Sequence, residues 1–331
     1  MQSRNTILFI LLTVLLVILF LADITLGSIR IPFNDTINVF FGNSTNNINS
    51  EILLNFRLPK AITAILTGAS LSVAGLMMQT LFRNPLADPY ILGVSSGASL
   101  GVALVMMASS FLPVLFISSG WGLIIAAIIG AALVLLLVVG VSFKVQNSVS
   151  LLIVGLMFGT MASSLVSIMQ FFSNPDAVKL FVMWNMGSLS AVTWNYMYVL
   201  FPVILTGLLI SFLLTKRLDG LLLGENYARG LGIPIIQTRI LIVIATGILA
   251  GSVTAFTGPI AFVGVAVPHI ARGLYRSAKH QFLMPACILL GASLILICDI
   301  ISQIPAHALP VNIISALFGA PVIIWIILKR K

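Results

Sequence analysis

Three histidines, two cysteines and eight carboxylates are all that this 331-residue chain offers for catalysis or metal binding. A metal site needs several such groups at ligand spacing, and covalent catalysis needs a nucleophile beside a base. His269, His280 and His307 are scattered along the chain. Cys287 and Cys298 share one apolar segment, 11 residues apart, which fits neither a disulfide framework nor a zinc site. No phosphate-cradling glycine loop, His-Glu-x-x-His or Gly-x-Ser-x-Gly is present. The expectation is a chain with no catalytic residue, no metal and no cofactor of its own.

What it does have is one concentration of charge. Residues 215–239 hold Lys216, Arg217, Asp219, Glu225, Arg229 and Arg239, six of the 25 charges (17 basic, 8 acidic), between long apolar segments. Glu225 and Arg229 stand at i, i+4 in a stretch of helical composition. Gly232 can end that helix in the left-handed conformation, and Pro234 stops its continuation. A second short turn is expected before Arg239. Two short helices lying across a water-facing surface would make a stiff knob that a soluble partner could push. An ordinary amphipathic connector is the plainer reading.

The elements that must position this knob are read from composition. The chain is 60% hydrophobic and only 8% charged, against about 25% charged in a soluble domain. A spanning helix takes about 20 apolar residues. The segments 7–27, 58–81, 91–109, 121–142, 150–172, 194–214, 240–257, 259–275, 283–303 and 312–328 supply about ten spans in a single transmembrane domain, residues 1–331. Arg4 followed by the run Ile7 to Ala22 is read as the first span, since that run is long for a signal core. Gly258-Pro259 is a potential break within the seventh and eighth.

Lys and Arg mark the cytoplasmic face. With the N-terminus inside and sides alternating, Arg30, Arg57, Lys60 and Lys179 fall outside and the other 13 of the 17 basic residues inside. Both termini are therefore expected in the cytoplasm. This distribution, facing the anionic inner leaflet, explains the net charge of +9 without nucleic acid.

Small residues are frequent in the spans. Gly97/Gly101, Gly155/Gly159 and Gly247/Gly251 make Gly-x-x-x-Gly spacings, and Gly-Ala-Ser-Leu recurs at 68–71, 97–100 and 291–294. Such spacing permits close backbone approach, whether for tight packing or for sliding. Acids within the spans are nearly missing: Asp299 is the one well inside, and Asp23 ends the first. An ion-coupled carrier would show more. Asp299 is expected to be a carboxylate held by neighbouring polar or backbone groups.

Several shorter stretches carry information. Arg57 and Lys60 share a face at an outer helix start, where the macrodipole disfavours cations; an acidic partner or lipid headgroups would account for them. Residues 83–89, with Pro85, Pro89 and Asn84, read as a rigid inner turn. Residues 91–98, rich in Ser and Gly, suit irregular backbone at membrane depth where it is buried or lines a cavity. Residues 173–184 read as a short extra helix at the outer mouth. Asn147 and Ser148 begin the fifth span, where they could ring a pore or simply cap the helix.

Arg57-Leu-Pro-Lys60, Gly75-Leu-Met-Met-Gln79, Arg83-Asn-Pro-Leu-Ala-Asp-Pro89, Ile91-Leu-Gly-Val-Ser-Ser-Gly-Ala98, Trp184-Asn-Met-Gly-Ser-Leu189, Gly224-Glu-Asn-Tyr-Ala-Arg-Gly-Leu-Gly232, Gly264-Val-Ala-Val-Pro-His-Ile-Ala-Arg272 and Leu317-Phe-Gly-Ala-Pro321 occur in this order. The chain resembles the permease subunits of binding-protein-dependent ABC importers for iron-siderophores, haem and cobalamin. The resemblance implies an all-α polytopic fold of the type II importer class and a dimer with the path on its axis, with the same chain or a related permease as the second copy. It also implies a cytoplasmic ATPase dimer, which binds the ATP and Mg, and an extracytoplasmic substrate-binding protein. It places Gly224, Glu225, Ala228, Arg229, Gly230 and Gly232 in the ATPase-coupling loop, and Asn147 and Ser148 at the inner gate. Arg57 and Lys60 fall on docking positions for the binding protein. A third, near Gln303, is an arginine in the cobalamin permease, so the sequence departs there. The location implied is the bacterial inner membrane. Ferric siderophore is the substrate expected from family frequency, with cobalamin or haem as alternatives.

Overall fold

The computed structural model describes residues 2–27, 31–40, 47–107, 120–145, 148–305 and 308–328. Asn147, His307 and the basic residues Arg30, Lys329, Arg330 and Lys331 lie outside the described residues. No β-strand occurs among the described residues. The helices are α1 (Gln2–Thr25), α2 (Phe33–Phe40), α3 (Asn47–Glu51), α4 (Leu58–Leu81), α5 (Val94–Met107), α6 (Gly120–Ser142), α7 (Ser148–Phe172), α8 (Pro175–Asn185), α9 (Trp194–Leu213), α10 (Thr215–Leu222), α11 (Glu225–Gly230), α12 (Ile235–Thr257), α13 (Val263–Tyr275), α14 (His280–Ser302) and α15 (Val311–Leu328). A wide turn, Ile52–Arg57, leads into α4, and a 3-10 turn, Pro89–Leu92, into α5.

Seven of these helices are long and apolar enough to cross a membrane. The shorter α5, α13 and α15 lie where the sequence puts the remaining three spans. The order of burial is that of a bundle in lipid: α4 and α12 are central, while α1, α6, α7 and α9 turn most of their surface outward. Most of the large outward side chains are Ile, Leu, Val, Phe and Met, as a hydrocarbon solvent requires. We use inner for the end of the bundle that carries residues 215–239 and outer for the opposite end.

The middle of the bundle is held by backbone meeting backbone. The Cβ of any residue larger than glycine at position 68 would lie 2.0 Å from the Gly291 carbonyl oxygen, and one at position 291 would lie 2.2 Å from that of Gly68. Two of the three Gly-Ala-Ser-Leu copies thus cross each other, in α4 and α14. Ser72 Oγ, one turn on, lies 2.7 Å from the Cys287 carbonyl of α14. Gly75 meets the Gly264 backbone of α13 in the same manner. Gly97 and Gly101 of α5 face the backbone of Gly130 and Ala126 in α6, and Gly155 and Gly159 of α7 face that of Leu92 and Gly93. The pair Gly247/Gly251 makes no backbone approach of this kind; it meets side chains of Leu135, Val94 and Ala131. Without a hydrophobic drive between helices in lipid, this intimacy supplies the dispersion attraction that holds them.

The first helix starts at Gln2, five residues before position 7, and two further expected spans differ from the helices found. The seventh begins at Ile235, five residues before position 240, because Pro234 seats the helix start and Arg239 finds acceptors inside the protein. The eighth is part helix, part irregular chain. Gly258 ends α12 at φ +75°, and α13 starts only at Val263. The intervening backbone is satisfied by specific donors and acceptors: Ala261 N–H donates to Asn312 Oδ1 (2.9 Å) and Ile260 N–H to the Tyr90 hydroxyl (3.3 Å). Irregular chain at this depth is tolerated only when buried and bonded in this way.

Gly68→Val is expected to drive α4 and α14 apart. Overpacking of a filled contact costs ~1–3 kcal/mol, and a helix crossing with no slack sits at or above that range. Thermal melting in detergent checks this; a variant melting within a degree or two of the unaltered chain would contradict it.

Candidate functional site

At the inner end, α10 and α11 lie in sequence as two short helices joined by Leu223 and Gly224. Gly224 has φ +115°, which a side chain rarely adopts, and the Arg83 guanidinium lies against it: a Cβ there would come within 2.4 Å of Nη2. The end of α11 is a Schellman cap. Gly232 takes φ +80°, Ile233 N–H donates to the Ala228 carbonyl (3.0 Å) and Gly232 N–H to that of Arg229 (3.0 Å). Ala228 is fully buried beneath the turn. The helix, the left-handed Gly232 and the stop at Pro234 are as the sequence reads. The second short helix, however, precedes α11 rather than follows it.

The charge pairing also differs from the i, i+4 expectation. Glu225 does not pair with Arg229, which is exposed. Its carboxylate Oε1 accepts from Ser148 Oγ at 2.5 Å and from Arg239 Nη2 at 3.1 Å. Arg239, 2% exposed and inside α12, also donates through Nη1 to the Val145 carbonyl at 3.0 Å. One carboxylate therefore joins α11, the first residue of α7 and the first turns of α12. Arg229 is left facing solvent beside Leu222, Leu223, Tyr227 and Leu231, all exposed.

The second inner network starts at Asp219 of α10. Asp219 Oδ1 accepts from the backbone N–H of His280 (2.9 Å) and lies 2.6 Å from its ring Nδ1. The other ring nitrogen, Nε2, lies 2.8 Å from Thr80 Oγ1 at the end of α4. An Asp–His–Thr relay has the outline of an activated nucleophile. Thr80 is buried, though, and its hydroxyl reaches the Leu76 carbonyl at 2.9 Å, so no substrate meets it. The relay is a brace joining α10, α14 and α4. Burial raises the Asp219 carboxyl, but the hydrogen bonds from His280 and the charges of His280 and Lys279 outweigh it and hold it below the usual carboxylate range. Beside this brace, Gln79 of α4 donates to the carbonyls of Gly264 and Val265 (both 3.2 Å) and accepts from Arg272. The sequence motifs around Gln79 and Arg272 are two halves of one contact.

At the outer end the basic pair turns inward. Lys60, 8% exposed, lies 2.6 Å from Asp299 Oδ2, and Asp299 is 3% exposed. Gln303 donates to the same oxygen at 2.9 Å and reaches Asp23 of α1 at 3.4 Å. Arg57 donates to the carbonyls of Ile24 and Thr25 at 2.9 and 2.8 Å, capping the end of α1. Lys60 thus has an acidic partner within the chain, while Arg57 is bonded to backbone carbonyls. Asp299 has the polar neighbours expected of it, with a lysine in addition. A cavity of about 250 Å³ opens beside the group, lined by Arg57, Lys60, Ser190 and Gln303 among others. The extra outer helix is α8, capped by Asn174 Oδ1 accepting from Ala177 N–H at 2.8 Å.

Sequence reasoning singled out Glu225, Ser148, Arg57, Lys60 and Gln303, and the structure joins them into two groups at opposite ends. It missed Arg239 as a buried member, counting it as part of the polar loop, and missed the Asp219–His280–Thr80 brace. Both were visible in one respect: a charge that must lie within a few residues of a membrane segment has to be paired. Which residue pairs with which depends on helix neighbours far apart in sequence.

Comparison with known proteins gives the same picture along nearly the whole chain. The FecCD transport family matches residues 15–329. The chain is 33% identical over 322 residues to the hemin transport system permease protein HmuU of Yersinia pestis, covering 97% of this chain and 95% of that one. It is 34% identical over 284 residues to the vitamin B12 import system permease protein BtuC of Photorhabdus laumondii, covering 83% and 81%. Among solved structures, an inward-facing metal-chelate type ABC transporter superposes with a TM-score of 0.85 at 30% identity, covering 97% of this chain and 99% of that chain.

Two outcomes follow from the networks. Removing one member of a buried ion pair costs ~3–5 kcal/mol because the other charge is stranded. Lys60→Met should therefore destabilise strongly, and Lys60→Met with Asp299→Asn should recover at least half of the loss, since the amide keeps the Gln303 bond; melting temperatures of the single and double variants decide it. Because the Asp219 carboxyl is held below its unfolded value, its contribution is complete at neutral pH and disappears as pH falls through the folded value. Unaltered and Asp219→Asn proteins should melt apart at pH 7 and converge in acid; a gap that persists in acid would contradict the ionised brace.

Proposed function

The chain belongs to the FecCD transport family, and we propose that it is the membrane-spanning permease subunit of an ATP-driven importer that moves a bulky metal chelate into the cytoplasm. One observation carries the reading. A water-facing two-helix element exposes Leu222, Leu223, Tyr227 and Leu231 beside Arg229, while its acids Asp219 and Glu225 are tied into the spans. Apolar side chains clustered on a polar end ask for a soluble partner, and the ties give that partner a grip on the bundle. A cytoplasmic ATPase dimer, which carries the ATP and Mg, fits this role. Catalysis stays with that partner.

The spans supply the path. On α7, Thr160, Ser163, Ser164 and Ser167 fall at i, i+3, i+4, i+7 and are exposed. Each hydroxyl donates within the chain, Thr160 to the Leu156 carbonyl, Ser163 to Ser96 Oγ, Ser164 to the Thr160 carbonyl and Ser167 to that of Ser163, and their gathering on one exposed face suits a water-filled path shared with a second copy of the chain. Ser148, the first residue of the same helix, stands where such a path would close. The buried acids Asp23 and Asp299 are already engaged with Gln303, and Asp299 with Lys60, which speaks against an ion-coupled carrier. The Lys/Arg distribution supports placing both termini in the cytoplasm. On the outer side, docking of a substrate-binding protein at Arg57, Lys60 and Gln303 would need an acidic side chain able to draw Lys60 from Asp299.

For the cargo, relatives that carry haem and cobalamin support those two chelates; iron(III)-siderophore rests on family frequency. The test is uptake into proteoliposomes holding the chain with its ATPase and binding protein, offered hemin, cobalamin or a ferric siderophore. ATP-dependent uptake of one of them is the expected result. Uptake driven by a proton or sodium gradient without ATP would overturn the proposal. With cysteine placed at Ser163 or Ser167, oxidation should link two copies of the chain; a purely monomeric product would remove the shared path.

A further inference from the structure

We infer that α10 and α11 do separate work, α10 fixing the two-helix element to the immobile α4–α14 core and α11 carrying motion through Glu225 to the inner end of α7, with Arg239 as the positioning residue. The inference rests on the importer reading and deepens it.

The two helices are tied to different parts of the bundle. Asp219 of α10 is bonded to His280, the first residue of α14, and through its ring to Thr80 of α4. Those two helices cross at Gly68 and Gly291 with no room for a methyl group. A helix bolted to such a crossing moves only if the crossing opens. Glu225 of α11 is bonded instead to Ser148, the first residue of α7. The packing of α7 is against α5, α6 and the 3-10 turn before α5, and its other side is exposed. Gly155 and Gly159 seat the middle of α7 on the backbone of Leu92 and Gly93, so its inner end, beginning at Ser148, is the part free to tilt about that seat.

The link between α10 and α11 is a pivot. Only Leu223 and Gly224 separate them, and Gly224 holds φ +115° with the Arg83 guanidinium against it. Pressure on Tyr227 of α11 and on Leu231 just beyond its end, both exposed, turns α11 about this point. Arg239 keeps the moving carboxylate aimed. One guanidinium nitrogen holds Glu225 at 3.1 Å, and another holds the Val145 carbonyl, three residues before α7, at 3.0 Å. A charge-assisted bond with a second donor fixed on the same planar group transmits direction as well as force.

The experiment measures chelate taken up per ATP hydrolysed in proteoliposomes holding the full complex. Ser148→Ala leaves the Glu225–Arg239 pair intact and removes only the bond to α7. We expect hydrolysis to continue while uptake per ATP falls about tenfold, the factor that one hydrogen bond to a charged group is worth. Ser148→Thr keeps the hydroxyl and should restore the ratio. Arg239→Gln should uncouple in the same way; should it fail to fold, the Ser148 pair still decides. Asp219→Asn should lower the melting temperature and leave uptake per ATP near that of the unaltered chain. An unchanged ratio in Ser148→Ala, or a tenfold loss in Asp219→Asn, would overturn the division of labour. An unaltered chain that takes up no chelate with ATP would instead overturn the importer reading, and that control precedes every variant.

Discussion

A charge carried into a bilayer has no water to return to, so its counter-charge must come from the protein. That constraint arranges this structure. Of eight acids in the chain, four sit where helices meet: at the outer end Asp299 is answered by Lys60 while Asp23 meets the Gln303 amide, and at the inner end Asp219 is answered by His280 and Glu225 by Arg239. Each brings together segments that no hydrophobic force would hold in lipid. The outer group joins α1, α4 and α14. The inner groups join α10 to α14 and α4, and α11 to α7 and α12. Charge is scarce here because each ionised group must be matched, and the matches fall at the ends, where a partner protein can reach them.

Between the two ends the bundle depends on shape. Gly68 against Gly291 and Gly75 against Gly264 leave α4 no freedom to slide along α14 or α13. Dispersion attraction is large there only because the backbones touch, and touching backbones do not adjust by fractions. The peripheral helices α1, α6, α7 and α9 turn most of their surface outward instead.

Much of this was legible in the sequence. Helix α4 occupies the expected 58–81, since an unbroken apolar run bounded by Pro59 and Arg83 leaves little choice. Gly232 announced the end of α11, because a left-handed residue followed by proline can do little else. The polar loop at 215–239 was visible from composition alone. Pairing was harder. The i, i+4 rule pointed Glu225 at Arg229, yet Arg239 outcompeted it, because a buried guanidinium has more to gain from a carboxylate than an exposed one. The partner of Lys60 was equally out of reach, since Asp299 lies 239 residues away in sequence. Irregular chain at 258–262 was signalled by Gly258-Pro259, but its hydrogen-bond partners, Tyr90 and Asn312, were not.

The central claim is that α11 moves with α7 while α10 stays with α14. Spin labels on cysteines at Tyr227 of α11, Val149 of α7 and Gln281 of α14 would read it directly, the native Cys287 and Cys298 being buried. Pulsed electron resonance distances are taken on the full complex without nucleotide and with ATP trapped. The account predicts that ATP changes the distance from α11 to α14 and leaves that from α11 to α7 nearly constant. A constant distance from α11 to α14 together with a changing distance from α11 to α7 would contradict it.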